Sequence, residues 1–193
     1  MDPTTAVDLY WLPLGAGGTV VRLNGRIYEY VAARRAHRPP RDLYHAGLEV
    51  WHDGVRHVIE MAPVWSGPRA DRGVVLEGPV GLRTLGRSRW FRYEVRRWPG
   101  GVIPDADEAV DSPRRLTDAP HIAAEVLAAC ERVPRLVWGR DELGLGEMWN
   151  SNSLIAWLLA SGGVDLIGVR PPARGRAPGW DAGLELASRW STG

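Results

Sequence analysis

The chain has 193 residues, a formal net charge of +1, 45% hydrophobic residues and 24% charged residues. This is length enough for one domain over residues 1–193 with a sizeable core, and the near balance of charge argues against a nucleic-acid binder. A single cysteine, Cys130, excludes an internal disulfide framework and a multi-cysteine zinc site.

No apolar run approaches the ~18 residues of a membrane span. The first residues carry no basic region followed by an apolar run. The expectation is a cytoplasmic protein with no integral membrane segment, no metal and no cofactor. All basic residues are arginine, and ten tryptophans stand against one phenylalanine. Each indole brings apolar area and an N–H that wants a partner, which predicts several Trp–carbonyl bonds in the core.

In chain order, Asp8 to Leu14 predicts a first strand, with Pro13 placing its end at a sheet edge. Gly15 to Gly18 is a turn. Residues 20–36 predict a helix interrupted near Asn24-Gly25. Arg34, Arg35, Arg38 and Arg41 follow it, a solvated helix end or a holder for an acidic group.

Tyr44 to Trp51 alternates, with Tyr44, Ala46, Leu48 and Val50 on one face and His45, Gly47, Glu49 and Trp51 on the other. Asp53-Gly54 is a hairpin signal, and Val55 to Val64 is the return strand. Residues 66–89 predict a strand or two, around Val74-Val75-Leu76. Trp90 to Trp98 alternates again, with Phe91, Tyr93 and Val95 inward and Arg92, Glu94 and Arg96 outward. Asp105, Asp107, Glu108 and Asp111 make an acidic loop whose spacing matches no calcium site.

A helix capped by Asp118 runs to about Arg132, burying Cys130 and leaving His121 on the surface. The approach to Asn150 is irregular. Trp149-Asn150-Ser151-Asn152-Ser153 then opens an apolar helix that stops at Gly162-Gly163. Its apolar residues predict a core helix, and its start predicts free N–H groups at a positive dipole end. Pro171 to Trp180 is a Pro/Gly/Arg arm: a surface strap pinned by Trp180, or a cleft-closing arm that supplies Arg174 or Arg176 to an anionic substrate group.

The chemistry centres on Ser151. A serine hydroxyl needs a base within hydrogen-bond reach, usually a histidine held by a third group. A two-residue turn at Asp53-Gly54 sets His45 opposite Ala62 and Glu60 opposite Gly47. Glu60 then lies diagonal to His45 at roughly 7 Å between Cβ atoms, with the empty Gly47 position between them. His57 points to the other face, unless the turn has three residues. The bland reading of each residue is a structural histidine and a capping serine. Asn152 needs no proton-transfer role, since it can bond backbone near the helix start.

His45-Ala46-Gly47-Leu48-Glu49-Val50, Asp53-Gly54-Val55 and Val58-Ile59-Glu60-Met61-Ala62-Pro63 together resemble the histidine hairpin of circularly permuted NlpC-type papain-like proteins, the lecithin:retinol acyltransferase-like branch. In that group the hairpin precedes a helix opened by Asn-Cys, and Asn150-Ser151 stands where Asn-Cys would be. The resemblance covers residues 44–64 and 149–162. It implies an α+β fold in which an antiparallel sheet packs on a buried helix. It implies an amide or ester hydrolase or acyltransferase, with Ser151 as nucleophile, His45 as base and Glu60 (His57 in reserve) as orienting residue. The substrate class would be a small molecule, peptide or lipid. The family's nucleophile is cysteine. With serine in its place, the alternatives are an active Ser-His-Glu site, a silent scaffold that keeps the cleft, or an engineered replacement.

Overall fold

The computed structural model describes residues 2–14, 29–30, 33–35, 37–64, 73–103 and 105–191. The expected Gly15–Gly18 turn and the Asn24-Gly25 interruption lie outside these residues. Residues 29–30 and 33–35 are helical, within the helix expected over 20–36.

The hairpin organises the sheet. Asp53 (φ 50) and Gly54 (φ 75) supply the two positive-φ positions that a two-residue turn requires. Strand β2 (Tyr44–His52) therefore pairs with β3 (Val55–Pro63) in the register that sets Val50 opposite His57 and Leu48 opposite Ile59. With β1 (Ala6–Pro13), β4 (Val74–Pro79), β5 (Arg92–Pro99) and β6 (Arg114–Thr117), they form one antiparallel sheet in the order β4-β5-β3-β2-β1-β6. Pro13 belongs to an interior strand rather than an edge. It sits beyond the end of the β1–β6 ladder, so its missing N–H breaks no bond there.

Helices α1 (Pro120–Ala129), α2 (Ser151–Ser161) and α3 (Trp180–Ser191) complete an α+β architecture. Among the described residues, no helix is long and apolar enough to cross a membrane. The helices share one core with the Tyr44, Ala46, Leu48, Val50 face of β2 and with Ile59, Met61, Tyr93 and Val95. Asn152 to Leu159 of α2 are all buried. Each fully buried Leu or Ile side chain contributes roughly 1.5–3 kcal/mol, so α2 is held chiefly by its packing.

The other sheet face is also covered. Leu12, Val58 and Ile103 form a second cluster with Tyr10, Trp98, Ala106 and Ala109. The loop after β5 therefore presents two aspects: Ile103, Ala106 and Ala109 pack on the sheet while Asp105, Asp107 and Glu108 stay exposed. Covering this face changes the expected pattern of β5. Tyr93 and Val95 point inward as expected, but Glu94 (0% exposed) and Arg96 (5%) are buried as well. Arg96 pairs with Glu94 and with Glu60, so these charges enter the interior as partners. Phe91 leaves the alternation, because residues 89–91 form a 3₁₀ turn that exposes it.

Two local expectations are corrected. α1 has no side-chain cap: Pro120 occupies its first position, where the missing N–H costs nothing, and Asp118 lies outside. The indole N–H groups of Trp11, Trp98, Trp157 and Trp180 find no partner among the described residues. These rings are held by packing instead, as in the 5.0 Å Trp11–Trp180 contact. Strand β6 and helix α3 are additions. β6 is fastened by Arg115, whose Nε and Nη2 reach the buried Asp8 carboxylate at 2.5 and 3.1 Å. Cys130 is buried, which pushes its thiol up to about 12.

Candidate active site

The start of α2 is capped by its own sequence. Asn150 Oδ1 accepts the N–H groups of Asn152 (2.8 Å) and Ser153 (3.2 Å), and Ser153 Oγ accepts the N–H of Asn150 at 2.6 Å. This is a reciprocal capping box. Two of the first N–H groups are thus already filled, which corrects the expected row of free donors. Ser151 takes no part in the box. No described residue bonds its hydroxyl, and it is the only partly exposed residue in the stretch from Ser151 to Leu159.

Asn152 has a different task. Its Oδ1 accepts the N–H of Ala46 at 2.7 Å, and its Nδ2 donates to Tyr44 O at 3.1 Å and to Pro178 O at 2.9 Å. The paired ladder between β2 and β3 ends at Leu48 and Ile59. Beyond it, the free edge of β2 is completed by the Asn152 carboxamide, and by Arg176 O accepting the N–H of Tyr44. The carboxamide lies in the plane of the strand, on the backbone either side of His45. Asn150 Nδ2 donates to the same Pro178 carbonyl at 2.9 Å. The helix start, the strap and the strand edge are therefore one joint.

His45 leaves β2 on the face opposite Ala46 and Leu48, level with Leu12. The residue is partly buried, and its imidazole bonds no described residue. Burial depresses its pKa below the ordinary histidine value, and the carboxylate of Asp105 opposes that shift. A neutral imidazole can accept a proton.

Glu60 makes no hydrogen bond with His45. Its Oε1 accepts from Arg96 Nη1 at 2.9 Å. A Cβ at Gly47 would lie 3.3 Å from Leu12 Cδ1 and 3.4 Å from Ile103 Cδ1. The space at Gly47 is thus filled by apolar side chains rather than left open between His45 and Glu60. His57 lies opposite Val50 on the other face, so the reserve assignment meets His45 no better. Burial, Arg97 and His52 lower its pKa, in that order.

The arm is a strap. Arg176 donates to the buried Glu29 at 3.1 Å and its backbone N–H donates to Asp42 O, which removes it as a free substrate-binding cation. Arg174 is exposed, has a φ of 57 and pairs with no described residue. The residues that sequence reasoning missed are Asp105, which lies in what reads as a solvated loop, and Pro178, whose role is a backbone carbonyl and so leaves no side-chain signal. Among the described residues, no group of three or more His, Cys, Asp or Glu is placed to hold a metal ion.

Comparison with known proteins gives no matching family model, no matching curated protein and no matching solved structure.

Proposed function

We propose that the chain is an acyl-transferring enzyme, a hydrolase or acyltransferase for an amide or ester, built on a permuted papain-like plan with serine as nucleophile. One observation carries this reading: Ser151 opens a helix whose capping is done entirely by Asn150 and Ser153, so its partly exposed hydroxyl has no structural task among the described residues. The Asn152 bonds support it by tying the same helix start to the strand on both sides of His45.

In this reading His45, neutral because of its burial, takes the proton of Ser151 as Oγ attacks the substrate carbonyl carbon. The carbonyl oxygen becomes an oxyanion, for which the Ser151 N–H is the first-turn donor that Asn150 leaves unfilled. His45 returns the proton to the leaving amine or alcohol as the tetrahedral centre collapses to an acyl-enzyme. Water or an acceptor then releases the acyl group.

A second reading, a silent scaffold that keeps the cleft, is favoured by the pairing of Glu60 with Arg96, which leaves His45 without a carboxylate hydrogen bond. Intact mass after incubation with a fluorophosphonate separates the two. The enzyme reading expects one adduct, absent from Ser151→Ala. No adduct on folded protein, or an adduct that persists in Ser151→Ala, overturns it.

A further inference from the structure

Far from His45, at the β4 edge of the sheet, lies a cavity of about 410 Å³. Its lining consists of Pro79, Arg83, Gly86, Arg87, Arg92 and Arg135. Four arginines from three separate parts of the chain therefore line it, and no acidic side chain is among the described residues that line the space.

Two of the four are anchored. Arg83 donates through Nε and Nη2 to Glu142 Oε1 at 2.9 and 2.7 Å. Arg92 donates through Nε to Gly86 O at 2.6 Å and through Nη1 to Glu77 Oε2 at 3.1 Å. The wall is tight at Gly86, where an added Cβ would lie 2.8 Å from Pro79 Cβ. Arg87 and Arg135 are exposed and have no acidic partner among the described residues. Like charges gathered in a concave space repel one another unless a counter-charge sits between them. Arginine presents a planar fork that matches phosphate oxygens, and a tetrahedral, multiply charged anion meets several such forks at once. A singly charged planar carboxylate meets fewer.

We propose that this cavity binds a phosphate group, with Arg87 and Arg135 as its principal ligands and Arg83 and Arg92 as the anchored walls. The group is carried either by a soluble phosphorylated compound or by an anionic lipid headgroup.

The test titrates the full chain with inorganic pyrophosphate by calorimetry, and in parallel with vesicles of phosphatidylcholine alone or mixed with phosphatidylglycerol by co-sedimentation. Saturable binding on the pyrophosphate arm identifies a soluble phosphate ligand, and binding only to the mixed vesicles identifies a headgroup. In either case binding weakens as salt rises, and Arg87→Gln/Arg135→Gln loses about tenfold or more in affinity. Arg114→Gln/Arg170→Gln removes two exposed arginines outside the cavity lining and keeps the affinity. Both pairs are exposed, and an unchanged thermal midpoint verifies that the fold is intact. Absence of binding on both arms, or equal loss in the two double variants, overturns the proposal.

Discussion

The side-chain oxygen of Asn152 accepts the backbone N–H of Ala46 at 2.7 Å, across 106 positions of sequence. With the Nδ2 bonds to Tyr44 O and Pro178 O, one carboxamide joins a helix start, a strand edge and the strap. A single side chain thus continues a β-ladder that the partner strand has abandoned.

Asn152→Ala leaves the buried Ala46 N–H and the Tyr44 carbonyl unmatched. The expected destabilisation is about 2–4 kcal/mol, since a buried group without its partner bears its desolvation cost. Asn152→Asp is expected to be at least as costly, because a carboxylate offers no donor to the two carbonyls. Urea denaturation of the purified variants measures both.

The depressed pKa of His45 links stability to pH. The unfolded chain binds a proton more readily than the folded one, so the stability that depends on neutral His45 is full above the ordinary histidine pKa of about 6.5 and is lost as pH falls from there through the folded value. His57, shifted in the same direction, adds to the slope. Denaturation midpoints between about pH 7.5 and 5 should fall with acidity. His45→Gln should flatten part of that fall and His57→Gln another part. If Ser151 reacts as proposed, its rate of fluorophosphonate modification should fall over the same range and lose that pH dependence in His45→Gln.

Gly183 tests the joint between α2 and α3. An alanine is a better helix former than glycine by about 1 kcal/mol, so on a free helix the change would stabilise. Here the added Cβ would lie 2.2 Å from Ser153 O and 2.9 Å from Ala156 Cβ. Helix backbone cannot yield as a flexible side chain can, so Gly183→Ala should destabilise by about 1–3 kcal/mol. A thermal midpoint equal to or above that of the parent would show that the helices separate freely.

Local order was legible where one short stretch contained its own instructions. Asp53-Gly54 set the hairpin turn and hence the register, because a side-chain period of two leaves one pairing that buries Leu48 and Ile59 together. Asn150 and Ser153 announced the start of α2, and Gly162 its end. β6 was not legible, because Arg114-Arg115-Leu116-Thr117 has no apolar alternation and depends on Asp8, more than a hundred positions away. α3 had a signal that went unread: Trp180, Leu184, Ala187 and Trp190 recur at helical spacing directly after the Pro/Gly arm. In the candidate site, the diagonal of His45 and Glu60 presumes a hairpin ladder that continues to both residues, whereas the pairing of β2 with β3 ends at Leu48 and Ile59. Strand geometry also does not name the side chains that fill the space at Gly47.

The sequence alone determined the hairpin, its register, the capped core helix and the burial of Cys130. Each rests on interactions between near neighbours or on apolar periodicity. Tertiary structure decided what lies beside each functional side chain. Leu12 and Ile103 close the space at Gly47, Arg96 claims Glu60, and Asn152 reaches β2 rather than its own helix. Such outcomes depend on which distant groups compete for the same few ångströms. Burying the second sheet face forced its charges to pair with one another, and that competition is settled only when the whole sheet is assembled.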